Sequence, residues 1–148
     1  MLAQYADYVV INISSPNTTG LRLLQKGSNL GELMEVTRKT ILDLNLNRFL
    51  PLLVKVSPDL TNDEIKEISE VILENDVDGL IATNTTIERP SDLLDRHKIE
   101  KGGLSGRPLF GVSTRVLSDF YRMTGGKLPL IGVGGISNGE EAYQEIRA

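Results

Sequence analysis

Cysteine and tryptophan are absent from this sequence, histidine occurs once, at His97, and aromatic residues make up only 5%. Without cysteine the chain can form no disulfide, offer no thiolate to a metal and supply no cysteine nucleophile. A single histidine argues against a His-based metal site or a Ser-His triad. No apolar run approaches the ~20 residues that a membrane-spanning helix needs. The opening residues Met1 to Asp7 lack both a basic head and a long apolar core, so no signal peptide is expected at this end. Neither sign of charge dominates: 16 basic residues stand against 20 acidic ones, for a net charge of -4. That mildly acidic balance tells against a nucleic-acid or anionic-membrane partner.

What is present is an alternation. Four short runs rich in Val, Ile and Leu, at Tyr8 to Ile13, Leu52 to Val56, Gly79 to Ala82 and Leu130 to Val133, are nearly continuous in apolar character. Strands buried on both faces have that composition. Amphipathic helical spacings lie between them. Leu30, Leu33, Met34, Thr37, Ile41 and Leu44 mark the first, and Ile65, Ile68 and Ile72 the second. Val112, Val116, Leu117, Phe120 and Tyr121 mark a third, which runs out at Gly125-Gly126. Thr61 and Glu64 have capping-box spacing at the head of the second helix, and Ser137 to Glu140 repeats that spacing before a fourth. Strand and helix in turn imply βαβ units and a parallel sheet. A doubly wound open sheet and half of a (β/α)₈ barrel both fit. The last residues stop inside a helical pattern, which reads as a piece of a longer protein.

Side chains alternate along a strand, so Val10 and Asn12 share a face, as do Leu53 and Lys55, and Ile81 and Thr83. Each of these strands therefore ends with a polar group on a face that is apolar one step earlier. Strand ends meet water and are often polar for that reason alone, but three coincident cases, one a lysine, favour a site. The fourth strand ends in Gly134-Gly135. Glycines between a strand and a helix N-terminus let backbone amides approach a phosphate, although a tight turn asks for the same residues. The segment from Thr83 to Pro108 is longer than the ~2–6 residues of an ordinary βα connection, a length often tied to function. Gly102 to Pro108 within it is either a flexible turn or backbone pressed close to a ligand. His97, among Asp95, Arg96 and Lys98, reads as a solvated loop residue.

Five segments in order carry a resemblance: Asn12-Ile13-Ser14-Ser15-Pro16-Asn17 with Gly20-Leu21-Arg22; Val54-Lys55-Val56-Ser57-Pro58-Asp59-Leu60; Thr83-Asn84-Thr85-Thr86; Gly102-Gly103-Leu104-Ser105-Gly106-Arg107-Pro108-Leu109; and Ile131-Gly132-Val133-Gly134-Gly135-Ile136. Together they closely resemble the dihydroorotate dehydrogenase family and span almost the whole chain. The resemblance implies a partial FMN-binding (β/α)₈ barrel over residues 1–148, made of about four βα units from the second half of the barrel. The implied reaction is oxidation of dihydroorotate to orotate in pyrimidine synthesis. Serine at Ser15, where class 1 members have cysteine, resembles class 2, the membrane-associated branch that passes electrons to quinone.

The same resemblance assigns roles. Ser15 would be the catalytic base that takes a proton from C5 of dihydroorotate while hydride leaves C6 for the flavin. Asn12, Asn17, Asn84 and Thr85 would contact the substrate, with amides and a hydroxyl suited to the alternating donors and acceptors of a pyrimidine ring. Asn12 would also contact FMN. Lys55 would stand near the flavin N1 edge, Thr83 against the isoalloxazine ring, and Gly106 and Gly135 would bring backbone amides to the flavin and its phosphate chain. No metal is implied. Further flavin contacts and the membrane- and quinone-contacting extension are expected outside these residues. The sequence looks eukaryotic, which points to the mitochondrial inner membrane, or to the cytoplasmic membrane for a bacterial source. Two rival readings are a related FMN barrel acting on another dihydropyrimidine and a catalytically inactive half-barrel that only assembles with itself or a partner.

Overall fold

A computed structural model describes residues 2–16, 18, 20 and 27–148. Its elements follow the alternation: β1 (Val9–Asn12), α1 (Gly27–Asp43), β2 (Leu52–Val56), α2 (Asn62–Glu74), β3 (Gly79–Ala82), α3 (Phe110–Met123), β4 (Leu130–Gly132) and α4 (Gly139–Arg147). Short 3₁₀ turns stand at Leu2–Tyr5, Arg96–Ile99 and Arg107–Leu109.

All four strands are parallel and pair in sequence order, β1-β2-β3-β4. That order separates the two architectures the sequence leaves open. A doubly wound sheet reverses direction at a switch point and carries helices on both faces. Here successive right-handed crossovers all advance the same way, so the helices collect on one face, each against its neighbour in sequence. The unit is of barrel type.

The in-register rows sort the two faces of the sheet. Ile11, Val54, Leu80 and Leu130 form one row, toward the helices. They pack with Leu30 and Met34 of α1, Ile65, Ile68 and Ile72 of α2, and Val116 and Phe120 of α3. Burying each such side chain contributes about 1.5–3 kcal/mol, which makes this layer the main source of stability. Asn12, Lys55, Ile81 and Ile131 form the adjacent row, on the opposite face.

Two helix starts are set by local chemistry. Thr61 accepts from the Glu64 amide, and the Glu64 carboxylate accepts from the Thr61 amide at 2.8 Å, closing the expected box. At α4 the expected box moves by one residue. Asn138 is the N-cap and accepts from the Glu141 amide at 2.9 Å, while the Glu141 carboxylate accepts from the amide and hydroxyl of Ser137. At the amino ends of the strands, Asp78 accepts from the Leu52 amide and from Arg38, both at 2.7 Å, which ties α1 to β2 and β3.

Candidate functional site

The carboxyl ends of the strands bring most of the expected residues together. Asn12, Lys55 and Ile81 lie side by side, and Thr83 follows directly on the end of β3. A cleft of about 400 Å³ there is lined by Lys55, Thr83, Asn84, Thr85, Gly106 and Gly135 among others. Carboxyl-end loops are where barrels of this type build their sites. Asn17, together with Leu21 and Arg22, lies outside the described residues.

Four side chains at this end form one network. Ser14 Oγ donates to Asn12 Oδ1 at 2.9 Å and accepts from Asn84 Nδ2 at 3.1 Å. Asn84 Nδ2 also donates to Asn12 Oδ1 at 3.4 Å. On its other edge Asn84 Oδ1 accepts from the Thr85 amide at 2.8 Å and from the Thr85 hydroxyl at 3.4 Å. The orientation of the Asn84 amide is therefore set from both sides. The two 3.4 Å contacts are long and weak, and they are the ones an entering ligand can replace. Ser14 is completely buried, and the sequence reading passed over it in favour of its neighbour. The hydroxyl proton of Ser14 is committed to an amide oxygen, which is a poor proton acceptor. Ser15, the next residue in the chain, is half-buried.

Lys55 projects from an apolar surface made by Leu53 and Ile81, each under a tenth exposed. Among the described residues no carboxylate pairs with its ammonium group. Toward β4 the same face opens: Ile131 and Val133 are 41% and 40% exposed. The result is an apolar shelf carrying one cation. Thr83 is buried, its amide bonded to Val133 O at 2.8 Å and its hydroxyl to Asn84 O at 2.9 Å.

The glycines divide into two kinds. Gly106 has a φ of +82° with open space where a Cβ would stand, so its backbone conformation alone requires glycine. Gly135 has a φ of +76°, and a Cβ there would lie 2.6 Å from Phe110 N and 2.7 Å from Gly106 O. The β4–α4 turn is thus pressed onto the start of α3, and the missing side chain serves that contact. Arg107 sits beside this junction, its Nε donating to Ser137 Oγ at 3.3 Å. Hydrogen bonds from the hydroxyl and amide of Ser137, with a smaller pull from Arg107, hold the Glu141 carboxyl below the usual range.

The long β3–α3 segment is neither slack nor open. Thr86 and Leu104 exchange both backbone bonds, at 3.1 and 2.7 Å, and close its stem. Asp59, from the β2–α2 loop, accepts from the Thr86 hydroxyl and from the Ile87 amide. Gly103 is pressed against protein: a Cβ there would stand 1.9 Å from Thr85 Oγ1 and 3.1 Å from Pro16 Cγ. His97 is in the exposed loop as expected, against Glu100.

A parallel β/α unit of the barrel type, with a polar cluster, a cation and a glycine turn at its carboxyl end, is the class of protein that the fold and the site define. The comparisons then fix the family. The family described as Dihydroorotate dehydrogenase matches residues 1–148. The mitochondrial dihydroorotate dehydrogenase (quinone) of Arabidopsis thaliana is 49% identical over 99% of this chain, which covers 33% of that protein. Dihydroorotate dehydrogenase (quinone) of Rhodospirillum rubrum is 51% identical over 99% of this chain and 40% of its own length. The crystal structure of DHODH from Eimeria tenella in complex with ferulenol superposes with a TM-score of 0.91 at 43% identity, over 98% of this chain and 43% of that one. The chain belongs to the dihydroorotate dehydrogenase family. It spans between a third and somewhat under half the length of these relatives.

Proposed function

We propose that this chain supplies the substrate cluster and part of the flavin face of a site that oxidises dihydroorotate to orotate, with FMN as hydride acceptor and a quinone as final electron acceptor. The observation that carries the proposal is the Asn12–Ser14–Asn84–Thr85 network beside the Lys55 ammonium. Amide edges already oriented by their neighbours suit a flat ring with alternating carbonyl and N–H groups, because little ordering remains to be done on binding.

The residues present fit the flavin on their chemistry. An apolar shelf of Ile81 and Ile131 suits an aromatic ring system, and Lys55 offers positive charge at its margin. The Gly134–Gly135 turn, close to the start of α4 and beside Arg107, offers backbone amides and a cation to a phosphate. When bound, FMN supplies the two-electron acceptor that the amino acids lack. The protein's own residues do the rest. Asn84, Thr85 and Asn12 hold the substrate ring, with Asn17 as a further amide. Ser15 takes the proton from C5 as the hydride leaves C6. Ser15 rather than Ser14 fits that role, because the Ser14 hydroxyl is buried and bonded on both sides. Lys55 stabilises the negative charge that develops on the acceptor side.

Quinone as final acceptor rests on the names of the relatives and on serine at Ser15. Among the described residues no helix is long and apolar enough to cross a membrane. Membrane contact, at the mitochondrial inner membrane or a bacterial cytoplasmic membrane, belongs in this proposal to residues outside the chain. The test is anaerobic mixing of the FMN-loaded protein with dihydroorotate. Bleaching of the flavin absorbance, with orotate formed, is the expected result. A bound flavin that dihydroorotate leaves oxidised would refute the assignment.

A further inference from the structure

The Arg89 side chain reaches more of the site-bearing loop than any motif in the sequence suggests. Its Nε donates to Lys98 O at 3.1 Å. One terminal nitrogen serves Ile87 O at 3.0 Å, Glu88 O at 3.1 Å and, more distantly, Thr86 O at 3.4 Å. The other serves Glu100 O at 3.0 Å and Gly102 O at 2.8 Å. A guanidinium has five N–H donors in a rigid fork, and here they bond backbone carbonyls from both arms of one loop. Those carbonyls converge from residues 86–88 and 98–102, so the cation replaces the regular ladder that the segment lacks.

The last of these bonds leads to the site. Gly102 is followed by Gly103, which leaves no room for a Cβ against Thr85 Oγ1 and little against Pro16 Cγ. Pro16 follows Ser15 directly. The order of contact is therefore Arg89 to Gly102, Gly103 to Thr85 and Pro16, and Pro16 to Ser15. The loop thus holds the end of β3 and the turn after β1 at a fixed separation, with Gly103 as the spacer.

We infer that Arg89 is a positioning residue: by gathering the carbonyls of the β3–α3 loop it presses Gly103 onto Thr85 and Pro16 and so sets the distance between the substrate-holding hydroxyl and the Ser15 base. This rests on the reading of Ser15 and Thr85 given above. Lysine has the charge but not the fork, and it cannot serve carbonyls on both arms at once. Arg89→Lys is therefore the informative variant, with Arg89→Ala as its extreme.

In the FMN-loaded protein both variants keep the flavin, because Arg89 touches none of the residues assigned to it. The limiting rate of flavin reduction by dihydroorotate falls ~10- to 100-fold in Arg89→Ala, the scale set by a misplacement of about 1 Å, and less in Arg89→Lys. Two readouts do not depend on turnover. Orotate binding, followed by calorimetry, weakens in the same order. The Leu104 amide exchanges with solvent faster, and added guanidinium slows that exchange in Arg89→Ala while restoring part of the rate. Gly103→Ala, which keeps Arg89 and displaces its target, reproduces the kinetic defect. Faster exchange at Leu104 with unchanged orotate affinity and reduction rate would make Arg89 a loop staple only and overturn the inference. Wild-type rates in both Arg89 variants would overturn it as well. If the unmodified protein itself neither binds orotate nor is reduced by dihydroorotate, the functional reading fails, and the role of Arg89 toward Ser15 fails with it. Should Arg89→Ala not fold, Arg89→Lys and Gly103→Ala decide the matter.

Discussion

Asn84 donates from Nδ2 to the buried hydroxyl of Ser14 at 3.1 Å, a bond that joins the end of β3 to the end of β1 across 70 residues of sequence. Because Ser14 passes the link on to Asn12, two neighbouring serines have different jobs. Ser14 ties strand ends together, while Ser15 is the base in the function proposed above.

Replacing the two serines one at a time separates those jobs. Ser14→Ala removes the buried hydroxyl that bridges Asn12 and Asn84; because Asn12 is exposed and Asn84 only partly buried, the cost is about 0.5–1.5 kcal/mol of folding stability. Ser15→Ala leaves the Asn12–Ser14–Asn84 bridge in place. It should slow flavin reduction by dihydroorotate ~10²-fold or more, the usual scale for loss of a general base. Denaturant midpoints and anaerobic stopped-flow rates measure the two effects. Equal stability losses in both variants would remove the distinction.

The Lys55 ammonium rises from an apolar shelf with no carboxylate partner among the described residues. Lys55→Met keeps the stem and its packing beside Leu53 and Ile81 and removes only the charge. The expected result is a folded protein that reduces bound FMN ~10²-fold more slowly, the scale for losing one fixed stabiliser of developing charge. Retention of the flavin should also weaken, which absorbance after gel filtration reads directly. A variant with the original reduction rate would take Lys55 out of the mechanism.

Strand positions were legible because buried parallel strands are written as continuous Val, Ile and Leu runs. Side-chain alternation joined Val10 to Asn12, Leu53 to Lys55 and Ile81 to Thr83 within their strands, and the register adds that Asn12, Lys55 and Ile81 stand in one row. The alternation alone left barrel and doubly wound sheet open, since strand order depends on which strands meet; the resemblance of the five segments pointed to the barrel, and the strand order bears it out. Ser14 escaped notice because two adjacent serines after a strand look alike until one is seen to be buried. Arg89 escaped because its partners are backbone carbonyls, which every residue has. The glycines of the 102–106 segment were read as a turn or a ligand surface, and Gly103 proved to be packed against Thr85 and Pro16 instead.

Gly106 and Gly135 test what the two kinds of glycine cost. Gly106→Ala meets no atom within 4 Å and is charged only for its backbone conformation, at about 1–3 kcal/mol. Gly135→Ala carries a comparable backbone cost and also drives a Cβ into Phe110 N and Gly106 O. Forcing extra atoms into a packed place adds about 1–3 kcal/mol. Gly135→Ala should therefore be the less stable variant by denaturant titration and the one that loses FMN. The reverse order would mean that the β4–α4 turn yields freely.

Glu145 is a carboxylic acid in the wrong surroundings. It is 5% exposed on α4, packed over Gly132, where a Cβ would come within 2.6 Å of its Oε1. Thr114 donates to Oε2 at 2.6 Å, while Oε1 is buried with no hydrogen-bond partner among the described residues. Burial pushes its pKa above the usual value of 4.5, and the Thr114 bond offsets only part of that. A raised folded-state pKa means that the folded protein holds this proton more tightly than the unfolded chain does. The associated stability is fully present below pH 4.5 and is lost as pH rises through the folded-state value, after which the penalty is constant. Glu145→Gln keeps an oxygen for Thr114 and removes the ionisation. It should raise the melting temperature at pH 7 and leave it nearly unchanged at pH 4, so that the two melting curves converge on acidification. A stabilisation equal at both pH values would trace the gain to packing and not to the buried charge.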